Sequence, residues 1–484
     1  MRVSGEVLTF YSTKMGVGRS MGLASIACIL ASKGKRVLVI DWDFDNPTVY
    51  RYLALLSPEN EEQIKSSPGL IDLCWDVLRA ARGLRPTQIA DVIAENNFSM
   101  LWAHITPFSL GGRFVNEGRV DIMMAGRQDQ RFNVRVRYFS WSEFYDRCDG
   151  AAFFDAMFDW MVAEYDYVLV DSLGGRARSS VLFPFLRTDK LIVCFTLDED
   201  SVDTSASATG FIKSRTGGAL QVYPVTMRVD SAERERLELR KAYARSKFAP
   251  YLAHLRGHEK EKYWSGVENP EIPYFSYARE LPPLRENSDD PKSLSSAYER
   301  LVAHITGTSL AGSGHLGERL TQRELIGMDR TETADPEGKD WNVYATPYEG
   351  EGGYGFVSYA RDDGDVVLPI VQDIDYLDYH LWWDEGIPGA TEWLLYLEKK
   401  IKQSNYVLLF LSRRSAISTN VQREIEIAQQ IGKPLIIIRL DKSDLPQSMQ
   451  ESLGEYQMLD ISAVAFEENL GKTLRLVHNV SVPS

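Results

Sequence analysis

Short apolar runs bounded by turn residues alternate with stretches of helical spacing over most of the chain. Val7–Tyr11 is the first such run. Met21–Ser32 then carries Leu23, Ile26, Ala27 and Leu30 on one helical face, and Gly34 closes it. Arg36–Asp41 (RVLVID) predicts a strand buried on both faces, and Tyr167–Asp171 (YVLVD) and Lys190–Thr196 (KLIVCFT) predict two more. Asp230–His258, rich in Arg, Glu, Lys, Leu and Ala, predicts one or two helices with a solvated face, and Tyr298–Ile305 a last helix. A polar stretch with frequent Gly, Ser, Thr and Pro follows from Thr306 to about 352 and is expected to be a linker, with Leu316–Met328 as a helix within it left open. A second series starts at Tyr354, with strands at Gly355–Tyr359, Tyr406–Ser412 (YVLLFLS) and Pro434–Leu440, and helices at Glu392–Gln403 and Val421–Ile431. Strands alternating with helices predict α/β architecture twice over: a doubly wound parallel sheet at 1–305, the linker at 306–352, and a smaller parallel α/β domain at 353–484.

Composition narrows the function. The 484 residues carry a formal net charge of −14, which argues against a general nucleic-acid binder and against docking on an anionic membrane, since both need clustered Lys and Arg. The four cysteines, Cys28, Cys74, Cys148 and Cys194, form no CxxC pair and are expected to be small buried hydrophobes in a reducing compartment. No run approaches the ~18 apolar residues of a membrane span. Gly5, Glu6 and Thr9 interrupt anything like a signal peptide, so a cytoplasmic location is expected.

Candidate chemistry begins at Ser12–Ser20 (STKMGVGRS), between the first strand and the first helix. A loop there aims backbone N–H groups and a helix N-terminus at one point, which suits phosphate. Gly16 and Gly18, with Val17 between them, permit close backbone approach, and Ser20 offers a hydroxyl to Mg²⁺. The segment resembles the deviant Walker A loop of the MinD/ParA family, a SIMIBI-like P-loop fold. The resemblance puts Lys14 on the signature lysine that reaches phosphate across a nucleotide-sandwich dimer. It puts Asp41 and Asp43 on a D-x-D motif, with Asp43 activating water and Asp41 supporting the Mg²⁺ shell. It makes Asp171 a Walker B aspartate holding Mg²⁺, and ATP the expected ligand. Met123–Gly126 resembles a further family strand and loop, and Asp45-Asn46-Pro47 reads as a turn. Two positions depart: Met15 replaces a glycine and Arg19 replaces the P-loop lysine. Arginine keeps the charge on a larger planar group. It either grips phosphate in a bidentate way or obstructs the nucleotide, so binding with hydrolysis, binding alone and no binding all stay open.

Four segments of the second series, in order, resemble TIR domains. Phe356–Asp363 (FVSYARDD) is similar to box 1, and Leu381–Trp393 (LWWDEGIPGATEW) to the second strand and BB loop. Ser404–Ser412 is similar to the third strand, and Ser418–Ala428 (STNVQREIEIA) to the helix that carries the catalytic glutamate of NAD⁺-cleaving members. That resemblance makes Glu424 the catalytic carboxylate, and Ser358, Tyr359, Trp383, Asp384 and Gly386 lining residues. The loop Gly386–Gly389 would be mobile and touch a neighbouring protomer. Asn420-Val421 stands where the family often has Trp or Cys.

Together the two resemblances imply a nucleotide-regulated effector. The P-loop half would bind ATP and bring chains together as a homodimer or larger oligomer, and TIR–TIR contacts would then complete an NAD⁺-cleaving site in bacterial defence or stress. An unidentified trigger or partner protein is expected, and no nucleic acid or membrane. The alternative is a non-enzymatic TIR signalling adaptor gated by the P-loop half.

Overall fold

The computed structural model describes residues 5–56, 61–81, 99–108, 118–173, 183–216, 220–230, 234–278, 280–286, 289–307, 347–350, 353–377, 379–383, 390–443, 445–463 and 466–481. The 308–346 stretch of the expected linker, including Leu316–Met328, lies outside them, and so do Asp384 and Gly386. The chain divides into two compact units, one of Met1–Asp129 and Trp141–Thr331, the other of Gln130–Ser140 and Glu332–Ser484. The second unit thus takes eleven residues from inside the stretch expected as one continuous domain at 1–305.

The first unit is built on an eight-stranded sheet: β1 (Glu6–Ser12), β2 (Arg36–Asp41), β3 (Thr106–Pro107), β4 (Arg119–Met123), β5 (Tyr167–Leu173), β6 (Lys190–Phe195), β7 (Gln221–Val229) and β8 (Glu268–Pro270). Their order is β3-β4-β2-β5-β1-β6-β7-β8, with every neighbouring pair parallel except β3 with β4. The central strands are apolar nearly throughout because helices cover both faces, and all six residues of β6 are buried. Helix α1 (Arg19–Ser32) connects β1 to β2 and buries Leu23, Ile26, Ile29 and Leu30 in the core. Full burial of each such side chain is worth about 1.5–3 kcal/mol. All four cysteines are free and buried.

The second unit opens with helix α2 (Phe132–Tyr138). Back in the first unit, α3 (Gly150–Glu164) is capped by Asp149, whose carboxylate accepts from the Ala152 N–H. Next come α4 (Glu199–Arg215), capped in the same way by Asp198, and α5 (Leu294–Thr306), which runs from the Ser293 cap to Gly307 in the left-handed conformation.

The remaining strands of the second unit are β9 (Gly355–Ser358), β10 (Leu381–Trp382), β11 (Tyr406–Leu411), β12 (Leu435–Arg439) and β13 (Met458–Asp460). They form an all-parallel sheet in the order β10-β9-β11-β12-β13. Counted within the unit this is 2-1-3-4-5, the flavodoxin-like order, whose reversal lies between its first and third strands. Helices α6 (Gly364–Tyr376), α7 (Arg413–Ile417), α8 (Thr419–Gln430) and α9 (Phe466–Ser481) accompany it. Val134 and Tyr138 of α2 belong to the same apolar cluster as Val357, Ile374, Leu470 and Leu474. The architecture is therefore α/β in both units, as the periodicity predicts.

Candidate functional sites at two sheet reversals

The Gly-rich segment turns out of β1 and into α1. Ser12, the last residue of β1, donates its hydroxyl to the Lys14 carbonyl at 3.0 Å. Gly16 (φ 73°) and Gly18 (φ 91°) occupy the left-handed region that glycine alone enters freely. Met15 does not need it: its backbone φ is negative and its side chain is 68% exposed. The Gly22 N–H reaches the Gly18 carbonyl at 2.9 Å, so the helix starts at the second of these glycines. Arg228, itself left-handed at φ 53°, donates to the Gly16 carbonyl at 2.9 Å and pairs with Glu271. A cavity of about 220 Å³ opens over the loop, lined by Ser12, Lys14 to Met21, Asp43, Asn46, Thr48 and Tyr52. Asp41 and Asp171 do not line it. Lys14 lies at the surface and pairs with Asp198 at 2.7 Å.

Arg19 turns away from the loop and into the acids. Its Nε donates to Asp171 Oδ1 at 2.5 Å, one terminal nitrogen to Asp43 Oδ2 at 2.8 Å, and the other to Ser12 Oγ at 3.1 Å. Its side chain is 6% exposed, and those of Asp43 and Asp171 4% and 0%. Burial opposes its charge, but the two carboxylates outweigh that and hold the guanidinium protonated. Ser20 donates to Asp171 Oδ2 at 2.6 Å, and the Asn46 N–H to Asp43 Oδ1 at 3.0 Å. Asp41 lies directly across from Asp171 in the sheet register. Burial first, then Asp171 and Asp43, push its carboxyl well above the usual carboxylate range. Its Oδ1 accepts from the Asp43 N–H, and its buried Oδ2 has no hydrogen-bond partner among the described residues.

This set does not fit a divalent cation as it stands. Both oxygens of Asp171 and both of Asp43 already accept hydrogen bonds, and a metal ion sharing these carboxylates would face a guanidinium, charge against charge. Among the described residues no group of three or more His, Cys, Asp or Glu could hold a metal ion. Of the residues expected to form the Mg²⁺ shell, Ser20 and Asp171 are joined instead in the hydrogen-bond network around Arg19, and Asp41 lies beside Asp171 outside it.

The second site lies at the reversal between β9 and β11, where open parallel sheets place their ligands. A cavity of about 410 Å³ is lined by Val357, Tyr359 to Asp362, Arg414, Ile417, Ser418, Asn420 and Glu424. Helix α8 starts at the Ser418 cap and buries Val421, Ile425 and Ala428. Glu424 shares that inward face and is 7% exposed, whereas Glu426 points to solvent. Ser358, at the end of β9, donates its hydroxyl to Glu424 Oε2 at 2.5 Å. Across the mouth, Asp363 accepts from Ser412 Oγ at 2.5 Å and from Arg414 at 3.0 Å, and Arg414 also donates to the Asp362 carbonyl at 2.7 Å.

Of the residues predicted here, Tyr359 and Glu424 line the cavity and Ser358 touches it through Glu424. Trp383 does not: it is 4% exposed within the apolar cluster of Val357, Val371 and Leu381, because its side chain fills the sheet–helix core. Arg361, Arg414 and Asn420 were missed as lining residues, as were Asp198, Asn46, Thr48, Tyr52 and Arg228 around the first cavity. Arg361 and Asn420 stand inside the FVSYARDD and STNVQREIEIA segments, and Asn46 in the turn after Asp43, so position could have suggested these three; the others have no motif, and only folding brings them in.

The family model of the TIR domain matches residues 356–474. This stretch is a TIR domain. The TIR domain accounts for the five-stranded sheet and for the cavity beside Glu424. A curated relative, the cytosolic Fe-S cluster assembly factor CFD1 of Yarrowia lipolytica, is 24% identical over 136 residues, which span 27% of this chain and 45% of that protein. Among solved structures, MinD of Aquifex aeolicus (18% identity, TM-score 0.35) matches 63% of this chain and 99% of its own. A plasmid partition protein of Borrelia burgdorferi bound to AMPPNP has the same coverage (15%, TM-score 0.37). MinD of Pyrococcus horikoshii complexed with Mg-ADP (14%, TM-score 0.37) matches 62% of this chain and 96% of its own. Scores this low decide nothing by themselves. The strand–Gly loop–helix geometry and the doubly wound sheet identify the first unit's P-loop fold.

Proposed function

We propose that this chain is a nucleotide-regulated effector whose TIR domain cleaves the nicotinamide–ribose bond of NAD⁺. One observation carries the reading: a buried carboxylate, Glu424, at the wall of a roomy cavity at the sheet reversal, oriented by the Ser358 hydroxyl. At about 410 Å³ the cavity is within the usual range for small-molecule sites. In the reaction the glycosidic C–N bond breaks and its electron pair stays on the ring nitrogen, so a cationic pyridinium leaves as neutral nicotinamide without a general acid. Water then adds to the ribose carbon and releases one proton, giving ADP-ribose. The transition state resembles an oxocarbenium ion, and an ionised Glu424 beside the ribose stabilises that positive charge and holds the hydroxyls. Ser358, donating to one oxygen of Glu424, fixes the carboxylate's direction. The first unit would bind ATP through the 12–20 loop and control self-association, raising the local concentration of TIR domains toward the millimolar range.

Nicotinamide release from NAD⁺ by the purified chain tests this, across protein concentration and with or without ATP. Release that rises more steeply than protein concentration is expected. Glu424→Gln keeps the shape but loses the charge, and a loss of about a hundredfold or more is expected. Equal release from wild type and variant would sink Glu424's role. Nucleotide-dependent association without any turnover would favour the adaptor instead.

A further inference from the structure

We propose that the Arg19 guanidinium is a built-in cation that replaces the divalent metal ion at Asp43 and Asp171, so that the loop takes nucleotide phosphates without a metal. The inference rests on the nucleotide-binding reading above and specifies the ionic form of its ligand.

Three facts carry it. First, the guanidinium spans both acids and Ser12 at once, at 2.5, 2.8 and 3.1 Å, a reach that a single ammonium cannot reproduce. Second, two of the groups that would complete a metal shell are engaged in the same network. The Ser20 hydroxyl donates to Asp171, and the second oxygen of Asp43 accepts from the Asn46 N–H. Third, filling the acid cluster does not fill the phosphate seat. The cavity of about 220 Å³ over Gly16 and Gly18 remains open, with Arg19 forming part of its wall and Lys14 at its mouth. The Gly-rich loop, the α1 N-terminus and Lys14 therefore still border a seat for an anion.

The charge balance follows. In a metal-dependent loop the ion neutralises the acids and the phosphate oxygens together. Here one guanidinium bridges both acids and offsets one of their two charges from within the chain, and a polyphosphate meets the positive end of α1 without bringing a counter-ion. The ligand class is a nucleoside polyphosphate in its metal-free, fully anionic form. Lys14 is released toward it from Asp198, an exposed pair that costs little to break.

Two measurements on the full-length chain test this. The first uses Mn²⁺ alone, followed by electron paramagnetic resonance. Wild type and Asp171→Asn should sequester the same small amount at the acidic surface. Arg19→Lys, which frees carboxylate oxygens, should gain one site that is lost again in Arg19→Lys/Asp171→Asn. Thermal melts of each variant confirm that it is folded, and Asp43→Asn in place of Asp171→Asn supplies a second control. A wild-type Mn²⁺ site removed by Asp171→Asn overturns the proposal, as does an Arg19→Lys variant that gains none.

The second measurement titrates ATP by calorimetry in excess EDTA and in millimolar Mg²⁺. Wild-type affinity should differ less than about threefold between the two, and Arg19→Lys should bind at least about tenfold tighter with Mg²⁺. Wild-type binding that needs Mg²⁺ overturns the inference and leaves the nucleotide switch standing. Absence of ATP binding in both media overturns the switch and the ligand half together, while the Mn²⁺ result still decides whether Arg19 has displaced the metal.

Discussion

At the scale of single residues, Asp41 is the costly one. It is fully buried, sits beside Asp171 in register, and leaves one oxygen without a partner among the described residues. Its folded-state pKa is raised, so the folded form binds the proton more tightly than the unfolded chain does. Linkage then gives the sign: the penalty is absent below the unfolded pKa of about 3.9 and grows as pH rises toward the raised folded value. Asp41→Asn copies the neutral acid and removes the titration. Its melting temperature should match wild type near pH 4 and exceed it increasingly as pH rises above that. A difference that is flat with pH, or falls, would show that Asp41 is ionised in the fold and held by a cation. The same contrast explains what the letters could reveal. Lys14, Asp41, Asp43 and Asp171 are legible as candidates because each stands at a strand end or in a turn. That Arg19 would point into the acids was not legible, since a guanidinium can reach either way from one backbone position.

Elements were legible where hydrophobic pattern alone decides them. The predicted Arg36–Asp41 strand is β2 residue for residue, and α1, β6, β11 and β12 differ from expectation by no more than two residues at an end. Strand β7 was missed because Pro224 interrupts it, and proline is ordinarily confined to edge strands. Here β8 pairs with β7 only from Thr226 onward, so the N–H that Pro224 lacks is not needed, and its carbonyl accepts the Tyr263 hydroxyl. Strands β3, β8 and β13, of two or three residues, are too short to show a period, and β10, equally short, is anticipated only through the resemblance of Leu381–Trp393 to a TIR second strand. Helix α7 is also short, and its start depends on one side chain. Ser412 accepts from the Arg414 and Ser415 N–H groups and donates to Asp363, which in turn holds Arg414 at the cavity mouth. Ser412→Ala removes the cap and leaves a buried carboxylate one donor short. A loss of about 1–3 kcal/mol is expected, measured by chemical denaturation of the TIR transition. Ser412→Thr should recover most of it, and an alanine variant as stable as wild type would mean that water replaces the hydroxyl at no cost.

For the whole molecule, the segment Gln130–Ser140 matters most, because its chain neighbours on both sides belong to the P-loop unit while it folds with the TIR unit. It is packed as core. Val134 and Tyr138 are 5% and 1% exposed, Arg137 pairs with Asp373 at 2.9 Å, and Ser140 donates to Glu468 at 3.1 Å. Gly471 has no side chain where one would be needed least: a Cβ there would stand 2.6 Å from the Tyr138 carbonyl oxygen. The family match at 356–474 therefore marks a domain whose hydrophobic core is completed from more than two hundred residues earlier in the chain. Burying one valine and one tyrosine is worth about 3–5 kcal/mol. A TIR piece beginning at residue 347 should consequently melt well below the TIR transition of the full chain and bind a hydrophobic dye, and a synthetic peptide of residues 130–140 should raise its melting temperature. In the full chain, Val134→Asp should lower the TIR transition while leaving the P-loop transition in place, because a buried unpaired carboxylate strikes only the core that contains it. If the truncated piece is as stable as the intact domain and ignores the peptide, the segment merely rests on the TIR surface. If the loss and the rescue both occur, any movement of the 124–129 connection after β4 acts directly on the TIR core, and a nucleotide bound in the first unit has a covalent route to the second.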